Sequence, residues 1–253
     1  MSSLVGNTKK VLRAGDPEPP KLAPGAARIY SMRFCPYAER VLLYAAVKQI
    51  PAEIVNIDIR EKPAWYLEKN SKGQVPTFEK DGKSGIVAEY LDAIYPETSI
   101  LPKDPHEQAL QKILVDRLQV IIQALFGGLA PIIKGLAEGA AREEKLKGLE
   151  NALDTAEKLL TKEYFGGSIP GYADWLSFPF FERIHAASHL LAPPPVSIDL
   201  TAFPGVSRWP KLTAWYGRLL IHPAVQALSQ KIPTLIPFYK EYFTGKPDWD
   251  FGL

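Results

Sequence analysis

The segment Ile29-Tyr30-Ser31-Met32-Arg33-Phe34-Cys35-Pro36-Tyr37-Ala38-Glu39-Arg40 reads as a short buried strand, a turn and the opening of a helix. Pro36 suits the first helical turn, where a missing N–H is no loss. Cys35 then stands at the helix mouth, facing unpaired backbone N–H groups and the positive end of the helix dipole. Both favour thiolate over thiol, and cysteines so placed titrate at ~3.5–7.5 rather than ~8.5. It is the only cysteine among 253 residues. Arg33 and Arg40 flank it and either add positive potential or point to water.

Outward from this segment, strand and helix alternate. The first strand covers residues 27–31 and the helix residues 36–48, with Val41, Leu42, Tyr44, Ala45 and Val47 on its apolar side. Pro51 ends the connection and a second strand covers 53–57, so the three elements form a parallel, right-handed βαβ unit. Residues 62–67 begin a short irregular helix, Asn70-Ser71-Lys72-Gly73 is a turn cluster, and residues 74–78 enter a third strand. Pro76 at that strand's start cannot donate to the ladder and needs a reason to be there. Asp81-Gly82 signals a hairpin turn, and Ser84 reads as the cap of a helix over 85–92. Upstream, residues 1–25 are rich in Pro, Gly and Lys and form an extended arm outside any folded element. Downstream, a proline-bearing linker at 97–104 separates the α/β domain (26–96) from an all-helical domain (105–253). Helices there are expected at 106–125, 140–160, 172–191 and 209–221, with a last short one from Pro223. The aromatic tail from Pro237 onward should pack on something rather than hang free.

Composition excludes several functions. A net charge of +2 gives no reason to expect nucleic acid or an acidic surface as partner. A lone cysteine rules out an intramolecular disulfide and fits a reducing, cytoplasmic setting. His185 and His189 have helical spacing that could seat a metal, but no third ligand is evident, so no metal site is expected. No apolar run approaches the ~20 residues of a membrane span, and the N-terminus lacks the apolar core of a secretory signal.

Cys-Pro-Tyr-Ala lacks the second cysteine of a redox pair, so a disulfide at Cys35 must form with an outside thiol and be resolved by another. A βαβ segment, a Val75-Pro76 before a third strand and a Ser-headed helix together resemble the thioredoxin-like domain of the cytosolic glutathione transferases. Residues 28–40 are similar to the omega class in particular, as are Asn56-Ile57 with Lys62-Pro63-Ala64-Trp65 and Glu89-Tyr90-Leu91-Asp92 with Tyr95-Pro96. Phe165-Gly166-Gly167, Asp174 and Phe181-Glu182-Arg183 extend the likeness over nearly the whole chain.

The resemblance implies a glutathione transferase fold and mixed-disulfide chemistry at Cys35: thiol transfer and dehydroascorbate reduction with glutathione as co-substrate, and no other cofactor. It implies a cis Pro76 whose neighbour Val75 pairs through its backbone with the cysteinyl part of glutathione. Phe34, Lys62 and Ser84 would complete that site, Lys62 on the glycyl carboxylate and Ser84 on the γ-glutamyl carboxylate. Tyr37 and Arg183 would belong to a second-substrate site for small hydrophobic or oxidised compounds, Asp174 would serve folding, and the assembly would be a homodimer.

One stretch departs from the pattern. Only Glu79-Lys80-Asp81-Gly82-Lys83 separates Phe78 from Ser84, and Lys83 stands where the family has a carboxylate for the ammonium of glutathione. With Asp81-Gly82 turning, the fourth strand of the domain is expected to be shortened or absent, with no normal hairpin and weak glutathione binding. Glu79 or Asp81 is left as a replacement carboxylate. The competing function is a binding or regulatory protein on the same fold. A chloride-intracellular-channel-like protein shares the cysteine position but not the second-domain motifs.

Overall fold

Strand β2 (Ala27–Ser31) is buried along its whole length and fixes the centre of a five-stranded sheet. Its one charge, Arg28, is met by Glu53 of the neighbouring strand at 2.9 Å. The sheet order is β1 (Leu4–Val5), β3 (Ala52–Asn56), β2, β4 (Thr77–Lys80) and β5 (Lys83–Gly85). β3 runs parallel to β2 through helix α1 (Pro36–Val47), while β4 is antiparallel to β2. The computed structural model describes residues 4–6, 8–81, 83–85 and 88–253, with backbone alone at residues 5 and 83–85.

Two compact units divide the chain. The first takes Met1–Ile100, Ala227–Gln230 and Trp249–Leu253, and the second takes Leu101–Gln226 and Lys231–Asp248. In the first, α2 (Ala64–Lys69) and α3 (Ala88–Ile94) complete the sheet's cover. The second is built from α4 (Pro105–Arg117), α5 (Gln119–Gln123), α6 (Ala130–Ile133), α7 (Gly139–Leu159), α8 (Tyr172–Ser188), α9 (Pro210–Leu220) and α11 (Ile232–Thr244). Helix α10 (Pro223–Leu228) lies between α9 and α11 in sequence. This is the expected fold, a small α/β unit and a helical one.

Four local expectations are corrected. Part of the N-terminal arm does fold: Leu4 and Val5 pair with Ala52 and Glu53, and Leu12 bridges Ile57, because Leu4 and Val11 find apolar cover at 7% and 3% exposure. The hairpin also forms, with Phe78 opposite Gly85, Glu79 opposite Ser84 and Lys80 opposite Lys83. A two-residue link suffices because Asp81 accepts a left-handed conformation (φ 50°). The returning strand is short, and it uses residues that the sequence pattern assigns to the next helix. Ser84 is therefore a strand residue and not a helix cap, and α3 is described over Ala88–Ile94. Finally, the helical run Pro105–Ile133 is long and apolar enough to cross a membrane by length and composition, with 39% of its most apolar window buried. Within that run a π-helical segment (Ala124–Leu129) carries the helix through Gly127-Gly128.

The aromatic tail divides between the units. Phe238, Tyr239 and Phe243 are buried on α11, whereas Trp249 to Leu253 return to the first unit. There Asp250 accepts from Val11 N and from Arg13 Nη2, both at 2.8 Å, and Arg60 lies over the Trp249 ring at 5.6 Å.

Asp174 anchors the helical unit. Its carboxylate accepts from Phe165 N (2.9 Å), Gly166 N (2.7 Å), Gly171 N (2.8 Å) and Trp215 Nε1 (2.7 Å). Burial pushes its pKa up, against the pull of those four donors. The loop can wrap this tightly only because Gly166 and Gly171 touch: a Cβ on Gly166 would lie 2.4 Å from Gly171 N. Gly166→Ala is therefore expected to lower stability by ~2–3 kcal/mol, read as a shift of the urea midpoint at constant slope. An unshifted midpoint would show that the loop yields freely.

Candidate active site

Cys35 sits where β2 hands over to α1. Its backbone is extended (φ −76°, ψ 117°), its N–H donates to Met32 O at 2.9 Å, and its C=O accepts from Glu39 N at 2.9 Å. It is thus the N-cap of α1, with Pro36 at the first helical position. The amides of Tyr37 and Ala38 have no intrahelical acceptor and lie at the helix end that Cys35 occupies. The side chain is partly exposed. Phe34, by contrast, is fully buried.

Arg33 does not point to water. It is 6% exposed, lies 5.1 Å over the Phe34 ring, and donates to Phe251 O (3.0 Å) and Gln230 Oε1 (3.3 Å). Arg40 lies 4.8 Å over the Tyr37 ring, and Tyr37 is 36% exposed. Glu39 is buried, and its Oε1 accepts from the Ser229 hydroxyl.

The Val75–Pro76 peptide bond is cis. Val75 packs on a buried cluster of Tyr30, Val55, Ile57 and Tyr66. The Tyr66 hydroxyl donates to Gln74 O (2.6 Å) and meets Thr77 Oγ1 (3.0 Å), and Asn70 Nδ2 donates to the same two atoms (2.9 Å each). Burial pushes the Tyr66 phenol up, and the charge of the nearby Cys35 adds to that rise. Lys62 borders the same loop: a Cβ on Gly73 (φ +57°) would lie 3.1 Å from Lys62 Nζ. Cys35, Val75–Pro76 and Lys62 are thus connected through Tyr66 and the Gln74–Thr77 loop.

The remaining candidates fall elsewhere. Ser84 and Lys83 lie in β5, and their side chains are outside the described residues. Neither replacement carboxylate is at liberty. Glu79 accepts from Tyr30 (2.5 Å) and Lys69 (2.9 Å); burial pushes its pKa up, but those hydrogen bonds hold it below the usual carboxylate range. Asp81 accepts from Gly25 N at 3.3 Å. Arg183 belongs to α8 in the second unit, is 0% exposed, and donates to Pro179 O and Glu182 Oε2 at 3.2 and 3.3 Å. Both ring nitrogens of His185 are used, one with Tyr216 Oη (3.1 Å) and one with Leu200 O (3.0 Å), and burial lowers its pKa to about 4. Among the described residues no group of three His, Cys, Asp or Glu could hold a metal ion.

Sequence patterns missed Tyr66, Asn70 and Thr77. The only available signal was the turn cluster at Asn70–Gly73, which marks a turn but not what the turn braces. They also missed Lys48 and Asp92, a buried ion pair at 2.9 Å whose partners are 44 residues apart.

The glutathione S-transferase N-terminal domain family matches residues 29–99, and the C-terminal domain family matches residues 139–218. A probable glutathione transferase omega-2 of Caenorhabditis briggsae is 44% identical over 260 residues, covering all of both chains. Glutathione transferase omega-1 of Caenorhabditis elegans is 40% identical, covering 99% of each. The solved Tau class glutathione S-transferase MiGSTU of mango superposes with a TM-score of 0.73 at 21% identity, covering 85% of this chain and 97% of that one, and speaks for the fold alone. Carrying a cysteine at the mouth of α1 and a cis-proline loop beside it, the chain belongs to the glutathione transferases, in their omega class.

Proposed function

We propose that this glutathione transferase works by thiol transfer at Cys35. The observation that carries it is a partly exposed lone cysteine at the N-cap of α1, with no second cysteine in the chain. The Cys35 thiolate attacks the glutathionyl sulfur of a mixed disulfide R–S–S–G, forming Cys35–S–S–G and releasing R–S⁻. Glutathione thiolate then attacks Cys35–S–S–G, giving glutathione disulfide and regenerating the Cys35 thiolate. Dehydroascorbate is reduced by two equivalents of glutathione, which leave as the disulfide while two electrons and two protons pass to ascorbate. Val75 would pair through its backbone with the cysteinyl part of glutathione and Lys62 would hold the glycyl carboxylate. Tyr37, exposed two residues from Cys35, would meet the second substrate, whereas Arg183 is buried at 0% exposure with its guanidinium on Pro179 O and Glu182.

Binding of glutathione is weak on this reading. Lys83 stands where the resemblance puts the carboxylate for the ammonium of glutathione, and Glu79 is already held by Tyr30 and Lys69. A missing charge-assisted hydrogen bond costs ~1.5–3 kcal/mol, about ten- to a hundredfold in affinity. The same observation favours a second reading, a binding or regulatory protein with an impaired site, which robust turnover with glutathione would exclude. A homodimer in a reducing compartment completes the proposal; Leu110 and Ile113, exposed on α4, offer it apolar surface.

The test is alkylation of Cys35 by iodoacetamide against pH, with and without glutathione disulfide. We expect a midpoint below the ~8.5 of an ordinary thiol and a single glutathionyl adduct on Cys35. A midpoint at the ordinary value with no adduct would overturn the mechanism, and calorimetry showing micromolar glutathione binding would overturn the weak site.

A further inference from the structure

We propose that Tyr66 is a positioning residue: its hydroxyl, bonded to the Gln74 carbonyl, aims the Val75 N–H at glutathione. The inference rests on the assignment of the Val75 backbone to glutathione made above. Gln74 C=O and Val75 N–H belong to one planar peptide group and point in opposite directions. Whatever holds the carbonyl inward therefore turns the N–H outward.

The hold is strong for a loop. Tyr66 is fully buried on α2, so its ring cannot drift, and its single proton is committed to Gln74 O at 2.6 Å. Asn70, one helical turn later, donates one amide proton to the same carbonyl and the other to Thr77 Oγ1, each at 2.9 Å. The Thr77 hydroxyl proton then goes to the Tyr66 oxygen at 3.0 Å or to Gln74 O at 3.2 Å. Four polar groups on both sides of Val75–Pro76 thus close on one another. A Phe at 66 would fill the same core but leave the carbonyl to Asn70 and Thr77, and the peptide plane could rock.

The test is steady-state thiol transfer with hydroxyethyl disulfide and glutathione, on the full chain and on Tyr66→Phe, Asn70→Ala and the double variant. Loss of one neutral hydrogen bond at the loop should raise KM for glutathione roughly threefold to tenfold in each single variant. In the double variant the rise should reach about a hundredfold. The kcat should stay within about twofold, because bond-making at Cys35 is untouched. The pH midpoint of iodoacetamide alkylation, measured without glutathione, should not move.

A fall in melting temperature with KM unchanged would overturn the proposal and make Tyr66 a core residue only. A shifted alkylation midpoint would also overturn it, since Tyr66 would then act on Cys35 itself. Asn70→Ala, which leaves the core ring in place, decides the matter if Tyr66→Phe folds poorly. Failure of the unmodified chain to use glutathione at all would overturn the underlying assignment together with this one, and only that result appears in the unmodified chain.

Discussion

Cys35→Ala is expected to lower glutathione-dependent thiol transfer and dehydroascorbate reduction by at least about a thousandfold, to the rate of glutathione alone. The size of the loss follows from the absence of a substitute. No other cysteine exists in the chain, so no neighbouring sulfur can take over the mixed disulfide. Cys35→Ser should be almost as inactive, because a hydroxyl at the same N-cap remains protonated where a thiol would not. Neither change should disturb the fold, since Pro36 and the backbone bonds of residue 35 to Met32 and Glu39 are kept. A surface N-cap change of this kind shifts stability by no more than ~1 kcal/mol. The measurement is initial rate with hydroxyethyl disulfide and with dehydroascorbate, beside circular dichroism of each variant. Activity retained at more than about a tenth of the unmodified rate would place the chemistry on another residue.

The second large effect concerns stability. Asp92 accepts from Lys48 Nζ (2.9 Å), Tyr44 Oη (2.8 Å), Ile100 N (3.0 Å) and the Ser99 hydroxyl. Lys48 gives its other protons to Tyr95 O (3.0 Å) and Thr98 O (2.9 Å). The side chains are 0% and 7% exposed, so Asp92→Ala strands a buried ammonium with carbonyls alone. Removing one partner of such a pair costs ~3–5 kcal/mol. Lys48→Met combined with Asp92→Leu should recover part of that loss: it removes the stranded ammonium, but Tyr44, Ser99 and Ile100 N–H lose the acceptor they share.

The pair also sets an acid limit. Burial raises the pKa of Asp92, but the hydrogen bonds from Ser99, Lys48, Ile100 N and Tyr44 outweigh it and hold the group below its ordinary value. A carboxylate lowered on folding contributes stability above the unfolded value of ~3.9, and that contribution disappears as pH falls through the folded value. Urea midpoints taken down through pH 4 should therefore fall more steeply for the unmodified chain than for the double apolar variant. Parallel curves would show that Asp92 is not the group responsible.

How much of this was legible beforehand depends on range along the chain. Periodicity and turn residues placed β2, α1, β3 and most of the helical unit to within a few residues, because each is a local pattern of side chains. Cys35 and its helix mouth were visible for the same reason, as they lie within five residues of one another. The β4–β5 hairpin escapes a local reading because Ser84 satisfies two local rules at once. A serine before an apolar run is a good cap, but a strand edge beside β4 was on offer and the tertiary pairing won. The Arg33 contacts to Gln230 and Phe251 and the Lys48–Asp92 pair carry no local mark. Their partners come together only when the chain folds, and a charge in sequence does not say whether it will be buried. Tyr66 was hidden in a third way, since an aromatic residue on a short helix looks like plain core until its hydroxyl is seen on a backbone carbonyl.

The return of Trp249 to Leu253 to the first unit has a consequence for how the protein is made. Arg33, two residues from Cys35, and Arg13 in the arm are both held by this segment, through Phe251 O and Asp250. During synthesis the sheet of the first unit can pair while the helical unit is still being translated, since chains emerge amino-terminus first. The bonds from Arg33 to Phe251 and from Arg13 to Asp250 cannot form until residues 250 and 251 have left the ribosome. Cys35 would therefore exist for the whole of that interval in a nascent chain whose neighbouring arginine lacks its contact with Phe251, and the surroundings of Cys35 are completed only after the helical unit has been translated.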